Sequence, residues 1–264
     1  MYVKRYGQGA RSFLALHGWA GNHRTFERVG DYVPEDASLY SADLPGYGQT
    51  PAPSEWTLDA LIGPVAQALD DRKLSEVTLV GYCGGALLAL EMTRRRPERI
   101  ARIVAIDPFA YLPLYLKVFV KPSWGRRAYE GTFANPVGRW ITNALAGMSG
   151  KAGPNPTAAF ERVNHEAAYN HLALIAQLVP FNDANAIAVP VDIVHGEHTF
   201  TAVRKSASIW CELLAQVRVF ALPGAGHEPT REAPRQLADV IFAPDSAEGL
   251  VYPHASPQRT HGAC

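Results

Sequence analysis

Val77-Thr78-Leu79-Val80-Gly81-Tyr82-Cys83-Gly84-Gly85-Ala86 is the stretch that decides the fold. A β-branched, apolar run enters it. From Gly85 to Arg96 apolar residues then recur at helical spacing, until Pro97 stops the pattern. The stretch predicts a strand, a tight turn at Cys83 and a buried helix in direct succession. Such a turn strains its central residue and needs small residues two positions before and two after it, where strand and helix approach. Gly81 and Gly85 meet that need. Taken alone, the G-x-C-x-G pattern equally fits a buried cysteine packed as a small hydrophobe, so the surrounding chain has to decide.

Outward from this stretch, short apolar runs alternate with segments of helical period. Strands are expected at Ser12–Leu16, Ser38–Ala42, Val77–Gly81 and Ile103–Ile106, and again at Val191–His195 and Val217–Leu222. A last helix is expected from about Glu232 to Phe242. The alternation predicts an α/β fold with a mostly parallel sheet flanked by helices, whose ligand chemistry lies beyond the strands' carboxyl ends. The stretch 111–187 carries many aromatics, several helical periods and Gly/Pro breaks, and reads as a helical cap inserted between two core segments, 1–110 and 188–245. The polar tail 246–264 has no period and reads as mobile.

Lysine plus arginine and aspartate plus glutamate both number 25 in 264 residues, so no chain-wide field draws in nucleic acid or an anionic membrane. Neither is expected as a partner. Cys83, Cys211 and Cys264 are too few for a disulfide framework and suit a reducing compartment. Phe13 to Leu16 is too short for a signal-peptide core, and no stretch nears the ~20 apolar residues of a membrane span. The expected localisation is cytoplasmic. His195 and His198 lack a cysteine or carboxylate cluster at ligand spacing, so no metal is expected, and no phosphate-binding loop implies a cofactor. Cys211, beside Ile209, Trp210 and Leu213, reads as core.

Two further segments frame Cys83. His17-Gly18-Trp19-Ala20-Gly21 follows the first expected strand, where an enzyme of this architecture supplies one oxyanion amide. The second comes from the residue after the nucleophile, which makes the Trp19 and Gly84 N–H groups the expected donors. Gly224-Ala225-Gly226-His227-Glu228-Pro229 sets a histidine in a turn after the last expected strand, placed to serve Cys83 as a base.

With Asp43-Leu44-Pro45-Gly46-Tyr47-Gly48, these motifs resemble the α/β-hydrolase superfamily over roughly residues 10 to 242, in the esterase branch that includes pimeloyl-carrier methyl esterases. The resemblance implies a Cys-His-acid triad acting on acyl carbonyls, with Asp43 structural. Cysteine replaces the usual serine, as in dienelactone hydrolases and polyhydroxyalkanoate synthases, which resemble this chain at the elbow only. Cys83 is either a native nucleophile or a serine exchanged to trap an intermediate. A thiol gives up its proton more easily than an alcohol and forms a thioester.

The family's usual acid position holds Thr199, which has no carboxylate. Asp107, at the end of the strand Ile103–Ile106, falls where certain haloalkane dehalogenases keep their acid, and Glu197 is the alternative. His17, Tyr82 and His198 are candidates for lining the pocket.

The expected activity is hydrolysis or transfer of an acyl group from an ester or thioester through Cys83. Cyclisation or C–C bond hydrolysis on the same scaffold is a second reading, and a non-catalytic ligand-binding protein is a third, favoured by Thr199. Lys117, Lys121, Arg126, Arg127, Arg139 and Lys151 share their stretch with one acid, Glu130. That basic face is either simply solvated or a dock for an acidic acyl carrier protein bearing the small-molecule acyl substrate.

Overall fold

The computed structural model describes residues 1–149 and 157–244. The expected mobile tail, and with it Lys151 and Cys264, lies outside them. In chain order the main elements are β1 (Val3–Gly7), β2 (Arg11–Leu16), β3 (Ala37–Ala42), α1 (Leu58–Asp71), β4 (Val77–Tyr82), α2 (Gly84–Arg95) and β5 (Ile100–Ile106). Then follow α3 (Pro136–Ser149), α4 (His165–Ile175), β6 (Val191–Gly196), α5 (Thr201–Leu213), β7 (Val217–Leu222) and α6 (Pro234–Ile241).

The seven strands form one sheet in the order β1-β3-β2-β4-β5-β6-β7. Only β1 runs antiparallel to its neighbour, β3. This strand escaped the sequence reading because Val3-Lys4-Arg5-Tyr6-Gly7 is an edge: its lysine and arginine stay exposed, as suits a strand with one unpaired side. The last helix also differs from expectation, since a separate turn, Pro229–Glu232, precedes α6. Pro234 begins α6 at a position where its missing N–H costs nothing.

Both faces of the sheet are covered, so the central strands are apolar throughout. Leu14, Leu16, Leu79 and Ile103 point into the larger core on one face, while Phe13, Ala15, Val80 and Val104 point into a second core on the other. Ten of the twelve residues of α2 are buried. Between β5 and β6 the described residues form helices and turns and no strand. Cys211 is part-buried against the larger core, as expected, and Cys83 is a free cysteine among the described residues.

One charged cluster ties the far end of the sheet together. Asp192 on β6 is fully buried and accepts hydrogen bonds from the buried Arg102 of β5 and from Arg218 of β7 (Nε–Oδ1 2.6 Å). Arg102 also donates to the carbonyls of Val240 (2.9 Å) and Ala243 (3.0 Å), which the end of α6 leaves without helical partners. Removing one member of such a cluster strands a buried charge. Asp192→Ala is expected to lower unfolding free energy by about 3–5 kcal/mol in denaturant titrations; a loss below about 1 kcal/mol would mean that the cluster relaxes into solvent.

Candidate active site

Strand β4 ends at Tyr82 and α2 begins at Gly84, so Cys83 alone makes the turn, at φ 51° and ψ −112°. The glycines on either side allow it. A Cβ on Gly81 would lie 2.4 Å from Ala86 Cα, and one on Gly85 would lie 2.3 Å from Leu16 O. The Cys83 thiol therefore sits at the amino end of a twelve-residue helix, whose dipole favours a negative charge there.

The expected base and acid meet beside it. His227 Nδ1 donates to Asp107 Oδ2 at 2.6 Å, and the Cys83 thiol is near enough to act on its ring. Burial opposes the charged ring, but the bonds to Asp107 and Cys83 and their negative charges outweigh it and push the His227 pKa up to about 10. The site thus favours the protonated ring beside Asp107. Asp107 is itself buried and adopts φ 48°.

Thr199 occupies the vacant acid position in an unexpected way. Its hydroxyl donates to Asp107 Oδ2 at 2.6 Å and lies 3.3 Å from His227 Nδ1, while Gly196 N–H reaches Asp107 Oδ1 at 3.3 Å. The sequence marked Thr199 only as a missing carboxylate; its role as a donor to the acid needed the fold. Glu197, the alternative acid, instead accepts the Gly224 N–H at 2.8 Å and braces the loop that carries His227.

The three expected lining residues are corrected. His17 is fully buried behind the site, accepting the Leu44 N–H at 3.1 Å, and burial lowers its pKa to about 4. Tyr82 donates its hydroxyl to the carbonyl of His227 at 2.5 Å, so it holds the histidine's backbone. The His198 side chain is 68% exposed, beyond the cavity. Asp43 takes the structural part, accepting N–H groups from His23 (2.6 Å) and Gln49 (2.8 Å).

The cavity over the thiol holds about 40 Å³ of free space. Trp19, Gly84 and Leu87 form its core side, and Leu116, Leu172 and Ile175 close it from the cap. These side chains are apolar; their positions in 111–187 follow only from the cap's folding, which the sequence did not disclose. A Cβ on Gly84 would lie 4.0 Å from Trp19 N, so the two expected oxyanion amides belong to adjoining backbone. The Trp19 indole reaches across to the cap, donating to Ala168 O at 2.8 Å. Among the described residues no group of three or more His, Cys, Asp or Glu side chains is placed to hold a metal, and no helix is long and apolar enough to cross a membrane.

Comparison with known proteins agrees with this architecture. The family model described as alpha/beta hydrolase fold matches residues 11–234. Lipase LipV of Mycobacterium tuberculosis is 32% identical over 109 residues, 41% of this chain and 41% of that protein, so this match spans less than half of either. A pimeloyl-[acyl-carrier protein] methyl ester esterase of Nitrosomonas europaea is 22% identical over 92% of this chain and 98% of its own length. Among solved structures, a thermophilic esterase from Thermogutta terrifontis superposes with a TM-score of 0.73 at 18% identity, covering 91% of this chain and 90% of that one. An epoxide hydrolase from Vigna radiata does so at 0.71 and 18%, covering 91% and 92%. At these identities the structural likeness establishes fold alone, but the family model spans Cys83, Asp107 and His227 together: the chain belongs to the alpha/beta hydrolase fold family.

Proposed function

We propose that this protein hydrolyses an ester or thioester of an apolar acyl group through an acyl-thioester on Cys83. The observation that carries the proposal is His227 held between Asp107 at 2.6 Å and the Cys83 thiol. The Nitrosomonas relative is a methyl ester esterase, which points the same way.

Cys83 gives its proton to His227, and its sulfur bonds to the acyl carbon. Charge gathering on the carbonyl oxygen faces the Trp19 and Gly84 amides. The bond to the leaving group breaks, and that group takes the proton from His227. Water then gives a proton to His227 and attacks the thioester; the acid leaves and the sulfur regains its proton. Asp107 keeps the ring oriented and stabilises its charge throughout. The binding-protein reading leaned on the lack of an acid at Thr199, and Asp107 removes that ground.

Intact-mass spectrometry after incubation with short aryl esters and acyl thioesters is expected to show one added acyl group. Cys83→Ala should show none, and His227→Ala should acylate about 10²- to 10⁴-fold more slowly. Failure of every donor to acylate Cys83 would remove the proposal.

The pH profile gives a second test. His227 must be protonated to assist the leaving group, so activity falls as pH rises through its raised pKa of about 10. Asp107→Asn removes the carboxylate that raises it, and the alkaline limb is expected to move to lower pH; an unmoved limb would deny Asp107 its part. Because Thr199 Oγ1 stands 3.3 Å from His227 Nδ1, Thr199→Asp should restore part of the rate lost in Asp107→Asn. No recovery in the double variant, with its fold intact by circular dichroism, would show that the two positions are not equivalent.

A further inference from the structure

The large hydrophobic side chains exposed on this protein are concentrated. Of ten among the described residues, seven lie in the cap between Leu114 and Leu145. Four of these, Val137, Trp140, Ile141 and Leu145, fall on α3 at a spacing that aligns them along one side of the helix. Trp140 is 70% exposed and Leu145 62%. A stripe on this spacing ordinarily packs against a core.

On α3 the arrangement is inverted. Arg139 turns back to the protein and donates to the carbonyls of Phe133 (2.9 Å) and Ala134 (3.0 Å). Asn143 likewise accepts the Thr157 hydroxyl at 2.9 Å. Polar side chains thus fasten the helix, and the apolar ones face outward.

The charge of the same segment is one-sided. Between residues 111 and 149 stand five cations and one acid, Glu130, which pairs with Arg126 at 3.0 Å. Lys117, Lys121 and Arg127 are exposed and have no ion pair among the described residues. The outer cap therefore offers an apolar helix together with unpaired positive charge.

We propose that this face docks on an anionic lipid surface, with the α3 stripe entering the headgroup region and Lys117, Lys121 and Arg127 meeting lipid phosphates. An acidic carrier protein would satisfy the charge. It would not account for a convex stripe of four aligned apolar side chains, which suits a fluid medium better than a shaped partner. This differs from the expectation of no membrane partner, because that expectation rested on the whole chain's balanced charge and the imbalance here is local. The position is also apt for an enzyme: the turn Leu114–Lys117 sends Leu116 into the cavity over Cys83 while Leu114 is 80% exposed. The proposal stands independently of how Cys83 reacts.

The test is co-sedimentation of the full chain with phosphatidylcholine vesicles and with vesicles that also contain phosphatidylglycerol. Binding to the second kind, weakened by added salt, is expected. Lys121→Gln with Arg127→Gln should weaken it roughly 25-fold, about fivefold for each charge removed. Trp140→Glu with Ile141→Glu should abolish it while leaving the thermal melting curve in place. The proposal is overturned if the protein stays in solution with both vesicles, if the Trp140/Ile141 variant still sediments in full, or if an acyl carrier protein binds through these residues and anionic vesicles do not.

Discussion

A residue with a β-carbon leaves the conformation of Cys83 unless its neighbours hold it, and here the neighbours belong to the sheet. The Cys83 amide donates to Ile106 O at 2.8 Å, continuing the β4–β5 ladder one residue beyond its last pair. The same step recurs on the next strand, where the Asp107 amide donates to Val194 O at 2.7 Å and Asp107 adopts φ 48°. It recurs again as the Glu197 amide donates to Leu222 O at 3.0 Å. Cys83 and Asp107 thus sit at the ends of successive strands on one carboxyl edge, each pinned through its own N–H. A slip in register would move both at once.

On that edge the electrostatics follow from spacing. His227 would be neutral if burial alone acted, yet two potential anions on neighbouring strands stabilise its proton. Thr199 moderates the arrangement. By donating to the same Asp107 oxygen that serves His227, it divides that oxygen's capacity and fixes the carboxylate in the direction of the ring.

How much of this was legible in the sequence depends on whether a feature is local. The elbow was readable because Gly81 and Gly85 meet a steric demand set within five residues, and the buried strands because runs such as Ile103–Ile106 are apolar on both faces. Asp107 was readable as the end of one such strand. His17 and Tyr82 were misread as lining: sequence proximity to the motifs put them near the site, but not on its open side. Thr199's donation, the bracing by Glu197 and the cavity wall at Leu116 and Leu172 join residues up to about a hundred positions apart, and no periodic pattern records such pairings. β1 was missed for the opposite reason, because an edge strand lacks the alternation of burial that would mark it.

The cap then becomes the part of the molecule that controls access. The small apolar space beside the thiol is walled on the cap side by Leu116, Leu172 and Ile175, so any substrate reaching Cys83 meets these side chains. Trp19 links that wall to the core, with its backbone beside Gly84 and its indole in the cap. The indole donates to Ala168 O and packs edge-on against Phe133 and Phe160. A cap lifted from the core would break these contacts and free Trp19, so the position of Trp19 is tied to that of the cap.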